Sequence, residues 1–414
     1  MAISQNFPNS RPSLNLNFAR SKTLDPRITF SRTNPTATYV DDNGLIVAAG
    51  ADEPRFDHDP ITGESLGLLV EEQRTNLVTN NEDLSQWTLN GSGIVTSNDT
   101  VSPDGNTTAD KVIQTNFVYS GVATVMSGIT TNTVYSCSVF IKPDGDTRTR
   151  FGFYDTSNWQ GALDTDWSSG EPSTNSSLGG ASDIVYEEYP NGWYRASFKA
   201  STQSNAFAGT LQFHCHPDRT GTGKSAWFWG AQLEAGAFPT SYIPTSGSTA
   251  TRTSDRVTMT GTNFSDWYNP TEGTVYTELS LLDVGNTGGK VLWNINQVGG
   301  FGEGFYMVNE NNTTSLAYNA FYGSSNQAQF AGPTGITTNQ YYKTIFSYQE
   351  NNVNACFDGN VGTADTSVGI ATVGRLTIGN NAWGNTLNPG DCHIKSFTYY
   401  PTRLSNTVLQ TLTK

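Results

Sequence analysis

The sequence predicts an all-β protein in which two antiparallel β-sandwiches stand in tandem behind an extended N-terminal arm. Three observations carry that expectation. Charged residues make up only 14% of 414 residues, against about a quarter in an average soluble domain, so long solvated helices lack their material. The chain holds 41 glycines and 12% aromatics, a composition suited to short strands joined by tight turns. Arg148 to Tyr154 (RTRFGFY) alternates cleanly between apolar and polar residues, and Trp193 to Lys199 (WYRASFK) repeats the pattern. A period of two turns one face of a strand to a core and the other to water.

Residues 1–77 form the arm. They are polar and interrupted by proline, with an Asn43-Gly44 turn, and hold too few apolar residues for a core of their own. The arm is therefore expected to lie on another domain or another subunit, which argues for a role in assembly. Its deletion is expected to leave residues 78–414 folded.

Residues 78–245 form the first sandwich, with strands at Val134 to Lys142, Arg148 to Tyr154, Trp193 to Lys199 and Gly209 to Phe213, closed by Ala226 to Leu233. Residues 246–262 are the linker. The wider stretch Gly230 to Gly261 is rich in Pro, Gly, Ser and Thr and cannot bury a core, so it reads as a stiff boundary laid along the surface. Residues 263–414 form the second sandwich, with strands at Gly273 to Leu281, Lys290 to Ile295, Gly304 to Val308, Tyr342 to Tyr348 and Asn354 to Phe357, and a turn at Asp358-Gly359.

The net charge of −14 argues against nucleic acid or an anionic membrane surface as partner, since neither gains counterion release from a like-charged protein. No apolar run reaches the ~18 residues of a spanning helix, so membrane insertion is not expected. The start, MAISQNFPNSRPSLN, shows no basic segment followed by an apolar one, and a standard export signal is not expected. Cys137, Cys215, Cys356 and Cys392 are widely spaced; the first two fall in strands and read as buried free thiols.

Five segments, LDPRITFSR, TATYVDDNGLI, EPRFDHDP, GLLVEEQRTNL and GAQLEAGAFPTSYIPT, resemble in order and spacing a series found in bacteriophage virion proteins, particularly tail-fibre and other appendage proteins. The first sandwich is similar to the jelly-roll carbohydrate-binding modules, and ACFDGNVGTADTSVGIATVGRLTIGNN with HIKSFTYYPTRLSNTVLQTLT resembles the laminin-G-like, concanavalin-A-like jelly rolls. These resemblances imply two jelly rolls in a virion component assembled in the host cytoplasm. They imply a homo-oligomer with other virion proteins as partners and a host surface polysaccharide as candidate ligand. They bring no catalytic residues. Two other roles fit the folds: a capsid-decorating or tail-linking protein without a sugar ligand, and an accessory module of a polysaccharide-degrading enzyme.

Aromatic rings that stack on sugars, and amides that share hydrogen bonds with hydroxyls, define the candidate binding residues. In the second sandwich these are Tyr322, Asn380, Asn381 and Trp383, set in Gly- and Asn-rich loops; in the first they are Tyr154, Trp159 and Trp167. His214 and His216 share a strand face, but no third metal ligand is indicated. Asp144 and Asp146 read first as a solvated turn. No cofactor is expected, while a structural calcium stays open because jelly rolls of both kinds often carry one. DRTGTGKS at Asp218 to Ser225 leads into an aromatic strand where a phosphate loop requires a helix. With no nucleophile elbow and no carboxylate pair whose separation a sequence can show, the expectation is a protein that binds and does not catalyse.

Overall fold

The computed structural model describes residues 10–91, 93–115, 120–145, 147–203, 211–217, 223–285, 289–298, 303–311, 313–323, 325–379 and 388–414. The chain is all-β, with 52% strand and 6% helix. Among the described residues no helix is long and apolar enough to cross a membrane.

The first sandwich packs two six-stranded antiparallel sheets. One runs in the order Ser182–Tyr189, Trp193–Ser201, Val134–Pro143, Ser225–Ala235, Ala109–Ile113, Ile94–Thr100. The other runs Ser173–Leu178, Trp159–Asp166, Arg148–Tyr154, Gln212–His216, Gly121–Val125, Thr88–Asn90. Alternation delivers Phe151, Phe153, Leu163, Phe213 and Cys215 from the second sheet onto Cys137, Val139, Ile141, Phe198 and Phe228 from the first. Cys137, Cys215, Cys356 and Cys392 are all buried and free.

The second sandwich packs two eight-stranded sheets around a larger core. The five expected strands are present, but Ser315–Tyr322 and Ser325–Thr334 form a further pair of strands where a loop carrying Tyr322 was expected, and a short helix, Asn406–Leu412, ends the chain. Asp358 and Gly359 both take positive φ, 44° and 80°, as a two-residue hairpin turn of the mirror-image type requires.

The arm is built into this second body. Leu14–Asn17 and Ser65–Val70 both pair with the last strand, Cys392–Tyr400, and Arg55–His58 extends that sheet beyond Ser65–Val70. Thr29–Ser31 pairs with Arg256–Thr260 on the edge of the other sheet. Leu14, Leu16, Phe18, Phe56, Leu68 and Val70 are buried in the second core, which explains how so polar a segment is ordered: it borrows a core. The expected independence of residues 78–414 from the arm does not survive this arrangement, because removing the arm uncovers apolar side chains and the edge of Cys392–Tyr400.

The linker also differs from expectation. It contains the strands Ala250–Arg252 and Arg256–Thr260, and Val257 and Met259 are buried in the second core, so it does not lie wholly on the surface. Ala250–Arg252 pairs with Arg74–Asn76. The chain thus passes into the first sandwich and out of it along adjacent strands.

A buried ionic cluster joins these pieces. Arg55 Nη1 donates to Glu71 Oε2 at 2.6 Å, to Ser241 Oγ at 2.7 Å and to the Thr38 carbonyl at 3.1 Å, while Nη2 donates to Asp255. Arg32 Nη1 reaches the other Asp255 oxygen at 3.0 Å, and Arg252 Nη1 reaches Glu71 Oε2 at 3.2 Å. Burial opposes each of these charges. At Glu71 the Arg252 and Arg55 guanidinium groups outweigh burial and hold the carboxyl well below the usual range; at Arg55, Asp255 and Glu71 do the same in the opposite sense.

Candidate functional site

The strand Arg148–Tyr154 uses Phe151 and Phe153 for the core, so Arg150, Gly152 and Tyr154 turn to the opposite face of the sheet. Gln212–His216 does the same with Phe213 and Cys215 inward, and His214 and His216 outward. Register then assembles a face: Gly152 lies opposite His214 and Ala162, and Arg150 lies opposite His216 and Asp164. An irregularity in the pairing between Phe153 and Tyr154 brings Tyr154 opposite Trp159.

The rings cluster at one end. Tyr154 and Trp159, both half-buried, have centroids 5.1 Å apart; Trp159 lies 5.5 Å from His214, and the two imidazoles stack at 5.5 Å. At the other end Arg150 Nη2 donates to Asp164 Oδ2 at 2.6 Å, its Nε donates to Oδ1, and Ser176 Oγ donates to Oδ2 at 2.9 Å. This two-point pair locks a guanidinium whose Cζ is 5.3 Å from the Trp159 centroid. Between the ends the floor is small by necessity, since a Cβ on Gly152 would sit 2.2 Å from the Gly161 carbonyl oxygen.

His214 is 4% exposed, and burial pushes its pKa down to about 4, so the ring is neutral at pH 7. With the Asn90 amide donating to Nδ1 at 3.4 Å, the ring proton belongs to Nε2. That atom is buried and has no hydrogen-bond partner. Two half-buried rings, an unpaired imidazole N–H and a fixed carboxylate thus share one small-floored face. Such a set offers stacking and hydrogen bonds in both directions to a hydroxylated ring.

The sequence-derived candidates fare unequally. Tyr154 and Trp159 are brought together. Trp167 is not with them: it is 2% exposed, its indole N–H donates to Thr149 Oγ1 at 3.0 Å, and its ring packs 5.4 Å from Tyr194. It fills the core and keeps no face for a sugar. Tyr322 is 46% exposed at the end of Ser315–Tyr322, in the other sandwich. Asn380, Asn381 and Trp383 lie outside the described residues, as do Asp146 and the 218–222 part of the phosphate-loop-like segment. Asp144 is held by Lys111 Nζ at 2.8 Å and by the Ser225 hydroxyl. No group of three or more His, Cys, Asp or Glu that could hold a metal occurs among the described residues. Sequence reasoning missed Arg150 and Asp164, although the alternation that exposes Tyr154 also exposes Arg150.

No protein family and no curated protein matches the chain. Among solved structures, it is similar to the CBM40 of the Ruminococcus gnavus IT-sialidase bound to α2,3 sialyllactose, at 14% identity and a TM-score of 0.30 over 35% of this chain and 84% of that one. It is similar also to the NanB sialidase from Streptococcus pneumoniae, at 11% identity and a TM-score of 0.31 over 38% of this chain and 26% of that one. A botulinum neurotoxin type C structure matches at 11% identity and 0.31 over 38% of this chain and 39% of that one. Likenesses of this size transfer no ligand to the chain; its fold rests on the strand pairing above, and its site on the side chains themselves.

Proposed function

We propose that this protein is a non-enzymatic structural component of a bacteriophage particle, in a tail fibre or other appendage, and that it holds host surface glycans on the aromatic face of its first sandwich. The observation that carries the glycan reading is the pairing of Tyr154 and Trp159 beside the unpartnered His214 N–H, over the floor at Gly152. Each element suits a pyranose: a ring for its apolar face, a donor and a carboxylate for its hydroxyls. The virion reading is supported by the order and spacing of the five segments quoted above, all of which supply residues to the ionic cluster. A site of this size binds weakly, so useful adhesion comes from several copies acting at high effective concentration.

The test is a glycan panel built from host surface polysaccharide, read by binding of the purified protein and by adsorption of particles. Trp159→Ala and Tyr154→Ala are expected to weaken binding by about tenfold each, the loss of one stacked ring. Unchanged binding and adsorption in both variants, with the fold intact, would remove this face from the proposal.

A further inference from the structure

A cavity of about 760 Å³ lies where the arm, the first sandwich and the second sandwich meet. Its walls come from four stretches: Thr38 to Val40 with Asp57 to Pro60 of the arm, the strands Ser182–Tyr189 and Trp193–Ser201 of the first sandwich, Ala237 to Tyr242, and Ser280 to Val284 with Ile336 to Tyr341 of the second sandwich. The volume is that of a small-molecule site, and the junction of two bodies is a common place for one. It shares no lining residue with the aromatic face.

The charges in this cavity do not cancel. Asp57 is paired with His393 at 2.8 Å, Asp183 with Lys199 at 2.5 Å, and Glu71 belongs to the buried cluster. Asp283 stands 3.8 Å from Lys290. Arg195 Nη2 donates to the Thr240 carbonyl at 2.7 Å and Ser138 Oγ at 3.2 Å. Glu187 and Asp59 remain without an ion pair: Glu187 accepts only from the Tyr189 hydroxyl, at 3.3 Å, and Asp59 caps the turn at Ile61 and Thr62. Beside them His58, 4% exposed, lines the cavity with Nδ1 bonded to the Val40 carbonyl at 3.0 Å. Nδ1 therefore donates to that carbonyl, and Nε2 is buried with no partner. Tyr39, Tyr186 and Tyr341, each half-buried, supply ring surface around these acceptors.

Arg195 faces Glu187 across the strand pair, yet Asp57, Asp59, Glu71, Asp183, Glu187 and Asp283 outnumber Arg195 and Lys199 in the lining, so carboxylates, a buried imidazole and tyrosine rings make a site with an excess of negative charge. We infer that the cavity between the two sandwiches binds an amino sugar, with its ammonium group at Glu187 and Asp59 and its ring against the tyrosines. This site is independent of the glycan face proposed above.

The experiment is calorimetric titration of the full chain with a fully deacetylated glucosamine trimer, its N-acetylated counterpart and spermidine. Binding of the deacetylated trimer alone, weakened at least about tenfold by Glu187→Gln and by His58→Phe, is the expected result. Equal binding of the N-acetylated trimer would overturn the ammonium contact, and equal binding of spermidine would overturn the sugar. Absence of binding by the deacetylated trimer to the wild-type protein would overturn the whole inference. Glu187 is solvent-accessible and makes one weak hydrogen bond, so Glu187→Gln is expected to melt with the wild type. If His58→Phe does not fold, the Glu187→Gln titration decides alone.

Discussion

His214 shows how one side chain can record its surroundings. A histidine whose folded-state pKa lies below its unfolded value contributes stability that is complete above pH 6.5 and is lost as pH falls toward about 4. The difference corresponds to about 3 kcal/mol. Glu71, held below its ordinary value, adds a loss of the same sign at more acid pH, whereas Asp391, raised by burial and then by Glu72, works in the other direction. The contribution of His214 is therefore best isolated by difference. Denaturant unfolding of the wild type and of His214→Gln between pH 4 and 7.5 is expected to show a shallower pH slope in the variant. Parallel slopes would mean that the ring titrates alike in the folded and unfolded states. At this scale the sequence showed which residue types share a face, since His214 and His216 do lie together, but not their chemistry. Neither the depth of burial nor the partner Asn90, 124 positions away, leaves a local mark.

The elements tell a similar story with a different limit. The strands Arg148 to Tyr154 and Trp193 to Lys199 were legible because alternation is a local property, but their polar faces are covered and not turned to water as expected. The arm was legible only as something lacking its own core. Its partners are Cys392–Tyr400 and Arg256–Thr260, far along the chain, and each arm strand has only three to six residues in which to show a pattern. Trp167 was misplaced for a related reason: it follows its strand immediately, and proximity to a loop does not reveal which way a ring turns. The arm strands make a direct prediction. A chain beginning at residue 78 is expected to retain a folded first sandwich and to lose the second, because six buried apolar side chains and four strand pairings go with the arm. Limited proteolysis of the truncated protein would check this. A protease-resistant fragment spanning 263–414 would contradict it.

For the whole molecule, the ionic cluster decides whether the two bodies act as one. Asp255 accepts from both Arg32 and Arg55, and its side chain is fully buried. Asp255→Asn leaves two guanidinium groups short of a counter-charge away from water, a loss of about 3–5 kcal/mol by comparison with broken buried pairs. Scanning calorimetry is expected to show a lowered transition that separates from that of the first sandwich. A single unshifted transition would mean that the apolar contacts alone couple the bodies. The adjacent strands Arg74–Asn76 and Ala250–Arg252 have a further consequence. The first sandwich hangs from the rest of the chain by two neighbouring threads, like a cassette in a socket. Any module whose ends lie side by side could be grafted there without rerouting the frame. Recombination at these two points would then let a lineage exchange the first sandwich while keeping the frame that carries it.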